Sequence, residues 1–68
     1  MREYVIYTKY PTGAKSYVAW SNIFGLSYCN SPDMAGVVIF DSIEDVEYSL
    51  QQLIGATDTP HFFEYLKG

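Results

Sequence analysis

The sequence predicts an α+β domain: a small antiparallel sheet of three to four strands with one amphipathic helix packed on one face. Three observations predict it. A β-branched and aromatic run near the N-terminus is followed by turn chemistry and a second such run. A continuous apolar run, Gly36-Val37-Val38-Ile39-Phe40, comes after a loop. Ser42 then opens a segment whose apolar residues recur at helical spacing. The chain of 68 residues makes one domain, 1–68, with no room for a second.

Residues 3–10, Glu-Tyr-Val-Ile-Tyr-Thr-Lys-Tyr, read as the first strand. Bulky groups lie on both of its faces, Tyr4 and Ile6 on one, Val5 and Tyr7 on the other, so alternation alone does not choose the buried side. Pro11-Thr12-Gly13 supplies a preset φ and a residue tolerant of positive φ, which makes a turn. Residues 16–21, Ser-Tyr-Val-Ala-Trp-Ser, form the returning strand of a hairpin. Over 22–35 the pattern is weak: Tyr28-Cys29 could continue the sheet, and Asn30-Ser31-Pro32-Asp33 is a loop. The run 36–40 suits a central strand buried on both faces.

The helix is predicted over about 43–54. Ser42 is its N-cap, Asp45 stands at the third position of a capping box, and Glu44, Asp45 and Glu47 complement the positive end of the dipole. Ile43, Val46, Leu50, Leu53 and Ile54 share a stripe ~100° wide, and Gly55 is the expected stop. Thr59-Pro60 could start a second short helix, which is the first choice for this segment. His61–Leu66 reads nearly as well as a strand, and both alternatives stay open.

Composition narrows the function. With 49% hydrophobic and 18% charged residues, the chain is too apolar for a disordered tail. A net charge of −4 argues against non-specific nucleic-acid binding and against an anionic membrane surface. Cys29 is the single cysteine, so no intrachain disulfide can form and a reducing, cytoplasmic setting is expected. No apolar run is long enough for a membrane span, and Met1–Tyr10 does not read as a signal peptide.

Catalysis is not expected. His61 is the only histidine, and neither it nor Cys29 sits in a nucleophile motif. Together they fall short of the three or four ligands of a zinc site, so no metal and no cofactor is expected. The glycines are scattered and form no phosphate loop. A small buried thiol and a surface or helix-start imidazole describe Cys29 and His61 sufficiently. The carboxylates Asp41, Glu44 and Asp45 are explained by helix capping.

The distribution of charge is more informative. Residues 1–32 carry Arg2, Lys9 and Lys15 against Glu3; residues 33–68 carry seven acidic groups against Lys67. On the helix wheel Glu44, Tyr48 and Gln51 share the face opposite the apolar stripe, with Glu47 at its edge. An exposed tyrosine ringed by carboxylates suits a partner-binding surface, the carboxylates steering a basic protein toward it. The candidate site is therefore Glu44, Glu47, Tyr48 and Gln51. An alternative set of contact residues is Tyr17, Trp20 and Phe24, which would place the site on the sheet or the 22–35 loop. The alternative function is a nucleic-acid or nucleotide binder that stacks bases on the aromatic sheet face, but Tyr7 and Lys9 are not interleaved with enough positive charge to favour it. Twelve aromatics in so short a chain also leave edges and apolar patches that invite a homodimer.

The segment Val37–Leu53, an apolar strand followed by Phe40-Asp41-Ser42-Ile43-Glu44-Asp45 and an amphipathic helix, resembles that of many small bacteriophage and prophage accessory proteins. The resemblance covers about a third of the chain. It implies a short antiparallel sheet with one helix, and a class that includes stoichiometric inhibitors of bacterial enzymes, anti-CRISPR and anti-restriction proteins among them. It transfers no functional residue. The expected function is accordingly a non-enzymatic, acidic interaction module that blocks a nucleic-acid-handling enzyme.

Overall fold

A computed structural model describes residues 2–67, the last of them by its backbone alone. The elements run β1 (Glu3–Lys9), β2 (Lys15–Ser21), β3 (Gly25–Cys29), α1 (Ile43–Thr57) and β4 (Phe62–Lys67). The strands form one antiparallel sheet in the order β3-β2-β1-β4, so the fold is α+β, a four-stranded sheet with the predicted amphipathic helix.

Alternation along the strands puts Tyr4 and Ile6 of β1 and Val18 of β2 on the face beneath α1. They make one cluster with Val46 and Leu53 of the helix, and Val38, Phe40, Ile43 and Leu50 pack against it. Ile6 and Val46 are fully buried. Each such side chain contributes about 1.5–3 kcal/mol of burial free energy. The opposite face buries Val5 and Ala19 and carries a row of rings across three strands: Phe62 to Tyr7 at 5.8 Å and Tyr7 to Tyr17 at 5.9 Å. Both faces of β1 thus hold buried side chains, Ile6 beneath the helix and Val5 on the ringed face.

The apolar run 36–40 is not a strand. β1 and β2 pair from Tyr7↔Tyr17 to Lys9↔Lys15 and then part, and this segment fills the fork between them. Trp20 N–H donates to the Gly36 carbonyl (2.9 Å) and Val38 N–H to the Val18 carbonyl (3.1 Å). Tyr4 and Phe40 exchange two bonds, at 2.8 and 2.9 Å. The run lies centrally, as its composition predicts, but it meets β2 at Val37 and β1 at Phe40, each in antiparallel sense. It therefore reverses direction inside the fork, and four residues cannot do that as a strand. Gly36 starts the reversal at φ +95°, with the Trp20 carbonyl 3.6 Å from where a Cβ would stand.

The helix begins as expected: Ser42 is extended and its hydroxyl accepts from Asp45 N–H. It does not stop at Gly55. One further turn carries it to Thr57, and Asp58 caps it at φ 54°, donating its N–H to Ile54. The stop moves because the Thr57 hydroxyl donates to the Leu53 carbonyl at 2.7 Å, which holds the last turn together. Ile54 is about half exposed, so the buried stripe ends at Leu53.

Residues 62–67 are a strand and not a second helix. Their pairing with β1 from Tyr7↔Phe62 to Glu3↔Lys67 outweighs the capping chemistry of Thr59-Pro60. His61, expected at the surface, is 7% exposed. Its Nδ1 lies 2.8 Å from the Thr59 carbonyl, which can only accept, so Nδ1 carries a proton; in the neutral ring Nε2 then accepts from the Tyr28 hydroxyl, 2.8 Å away. This bond ties the outer strand β3 to the loop that leads into β4.

Candidate functional site

The fork end of the sheet gathers the exposed chemistry. The β2–β3 hairpin turns there over Asn22, Ile23 and Phe24, between the paired Ser21 and Gly25. The Ser21 hydroxyl accepts from Ile23 N–H (3.1 Å) and Phe24 N–H (3.2 Å), and Gly25 closes the turn at φ 76° beneath the Trp20 ring. With its backbone satisfied locally, the turn directs its two large side chains outward. Ile23 is 83% exposed and Phe24 82%; Trp20 beside them is 61% exposed, and Leu26 is also open. Met34, in the chain leading to the fork, is half exposed. Adjacent exposed apolar groups are the kind of feature from which interaction surfaces are built.

The helix starts at this same end, because Phe40 is bonded to Tyr4 in the fork just before the N-cap. Asp41, Glu44, Asp45 and Glu47 are all exposed there and along the next turn. Tyr48 is 66% exposed, and Gln51, a turn further on, is exposed too. The wheel therefore places Glu44, Glu47, Tyr48 and Gln51 correctly on the solvent side. It could not show that the first turn of the helix and the hairpin tip lie at one end of the sheet, which follows only from the fork.

The alternative set divides. Trp20 and Phe24 stand together at the tip, but Tyr17 belongs to the opposite face and is 7% exposed. Its hydroxyl lies 3.5 Å from Glu64, and Tyr7 beside it is capped by the Lys15 ammonium, 4.6 Å above the ring. Lys15 also pairs with Glu64 at 3.0 Å, the one ion pair among the described residues. A base stacking on this face would have to displace that lysine. Sequence reasoning missed Ile23 and Leu26. The signal that could have found Ile23 is Ser21 followed by three residues and a glycine, a tight hairpin whose loop residues have nowhere to be buried; Leu26 follows from it as the strand residue paired with Trp20.

At the far end of β1 lies a shallow open groove of about 340 Å³ between Tyr10, Pro11, Pro60 and Phe62, with Lys9 at its side. No group of three or more metal-ligating side chains occurs among the described residues, and no helix among them is long and apolar enough to cross a membrane.

Three groups on the sheet hold their protons more tightly in the folded state. Burial, and then the Glu64 charge, push the Tyr17 hydroxyl up from its ordinary value. Burial, and then the Tyr10 charge, do the same to Tyr28. The hydrogen bond to Glu64 raises Lys15. A raised folded pKa gives stability that is complete below the unfolded value and lost as pH rises through the folded one. Thermal melts should therefore be insensitive to these groups up to about pH 9 and fall above about pH 10. Tyr17→Phe should flatten that fall; an alkaline limb equally steep in the variant would show that Tyr17 does not contribute.

No protein-family model matches the chain, and no curated protein and no solved structure matches it.

Proposed function

We propose that this protein is a non-enzymatic interaction module that binds a basic protein partner through the fork end of the sheet. The observation that carries the reading is the side-by-side exposure of Trp20, Ile23 and Phe24 on a turn whose backbone is fixed. A preorganised aromatic loop loses little entropy on insertion into a pocket. The acidic first turns of α1, at the same end, supply the long-range attraction. Basic character in the partner follows from that charge, and a groove built for phosphates is one surface of this kind. By filling such a groove with carboxylates the protein would block it, so inhibition of a nucleic-acid-handling enzyme is the form of activity proposed.

The test begins with the protein that wild type captures from a bacterial lysate, and measures its binding to variants. Phe24→Asp should weaken affinity by at least ~30-fold, equivalent to ~2 kcal/mol, chiefly through faster dissociation. Reversal of Glu44 and Glu47 to Lys should slow association and flatten its salt dependence, since steering is screened over ~8 Å at physiological ionic strength. All these positions are exposed, so melts should not change. Affinity that survives the Phe24 substitution in a folded protein would sink the reading. Retention of the wild type on a DNA column would point instead to nucleic acid and the aromatic sheet.

A further inference from the structure

We propose that two copies of this chain pair through β3 across a two-fold axis, giving one continuous eight-stranded sheet; Leu26 then lies in this pairing, and Ile23 and Phe24 remain for the partner proposed above. The geometry of the fork supplies the argument. Trp20 N–H and the Val18 carbonyl are bonded to the segment in the fork, so the even-numbered positions of β2 turn their peptide groups away from β3. The odd-numbered positions face β3, where Tyr17, Ala19 and Ser21 oppose Cys29, Ser27 and Gly25. Leu26 and Tyr28 therefore aim their N–H and C=O groups outward from the edge of the sheet.

That edge is self-complementary. An antiparallel pair centred on Ser27 sets Leu26 of each copy opposite Tyr28 of the other. These are the positions whose peptide groups point outward, so four hydrogen bonds form and each donor meets an acceptor. No charge opposes the pairing, because Gly25-Leu26-Ser27-Tyr28-Cys29 contains none. The other edge, β4, carries Glu64 and Lys67, the means by which proteins usually keep an edge from pairing. On the helix side, Leu26 and Tyr28 are partly exposed beside Trp20. In the dimer these rows meet across the axis, and the apolar surface of each copy covers part of the other.

Ser27 faces Ser27 of the second copy in a non-hydrogen-bonded pair, where Cα atoms lie about 4.5 Å apart. That distance permits a disulfide. In a Cys29→Ser background, Ser27→Cys should cross-link under mild oxidation to a species of twice the 7.7 kDa chain mass, while Glu64→Cys on the other edge should not. The unmodified protein should sediment as a dimer at high micromolar concentration, and Ser27→Lys, which sets like charges face to face, should sediment as a monomer with its melt retained. A monomeric wild type, or efficient cross-linking at position 64 and none at 27, would overturn the proposal.

Discussion

Ile6→Ala is expected to leave the chain largely unfolded. Ile6 has no exposed surface and stands where β1, β2 and the helix meet, in contact with the cluster of Tyr4, Val18, Val46 and Leu53. Truncating a buried isoleucine costs ~2–5 kcal/mol through lost transfer energy and the cavity left behind. A single core in a chain of this length supplies no more than ~3–5 kcal/mol. The two quantities are equal in size, so the far-ultraviolet signal should be mostly lost or the denaturant midpoint should approach zero. Leu50→Ala, by contrast, truncates a side chain that is only partly buried at the margin of the cluster, and its cost should fall toward the low end of that range. A cooperative melt for Ile6→Ala close to that of the wild type would show that the core is not where it is placed here.

The second large effect concerns the fork. Phe40→Ala removes a ring packed against the core from the residue that exchanges two backbone bonds with Tyr4, and should cost about 2–4 kcal/mol. Ile39→Ala, one residue away, should cost under ~1 kcal/mol, because Ile39 is nearly half exposed and makes no part of the cluster. A strand buried on both faces would make the two substitutions similarly severe. Denaturant titration of the pair thus separates the folded-back segment seen here from the central strand that its composition suggests. Equal losses would contradict the fork.

Most local signals in the sequence are met, the stop expected at Gly55 and the helix start at Thr59-Pro60 being the exceptions. The Ser42 cap, the stripe from Ile43 to Leu53 and the two strands around Pro11-Thr12-Gly13 each depend on neighbours a few residues away, and each is found. What was not legible depends on distant partners. Residues 62–67 are a strand because β1 offers an open edge, and β1 lies almost the whole chain away. The apolar run 36–40 folds back because β1 and β2 part ahead of it, which neither strand's own pattern records. Of the candidate site, exposure of Tyr48 and the carboxylates was readable from the helix wheel. The separation of Tyr17 from Trp20 and Phe24 follows from the period of two along β2, once the covered side is known. The nearness of the helix start to the hairpin tip was not readable, since it is a property of the fork.

Trp20 belongs to two structures at once. Its indole lies on the exposed end of the hairpin, and its backbone N–H is bonded to the Gly36 carbonyl that opens the fork segment. Recognition and folding therefore share a peptide group. Whatever grips the indole in this pose also holds the fork closed, and by thermodynamic linkage a ligand present at a hundred times its dissociation constant adds about 2.7 kcal/mol to the folded state. For a domain with so little stability of its own, that would nearly double its resistance to unfolding. The reverse also holds: a substitution at Gly36 would loosen Trp20 and reduce affinity through the population of the competent conformation, with the side chains of Trp20, Ile23 and Phe24 left unchanged.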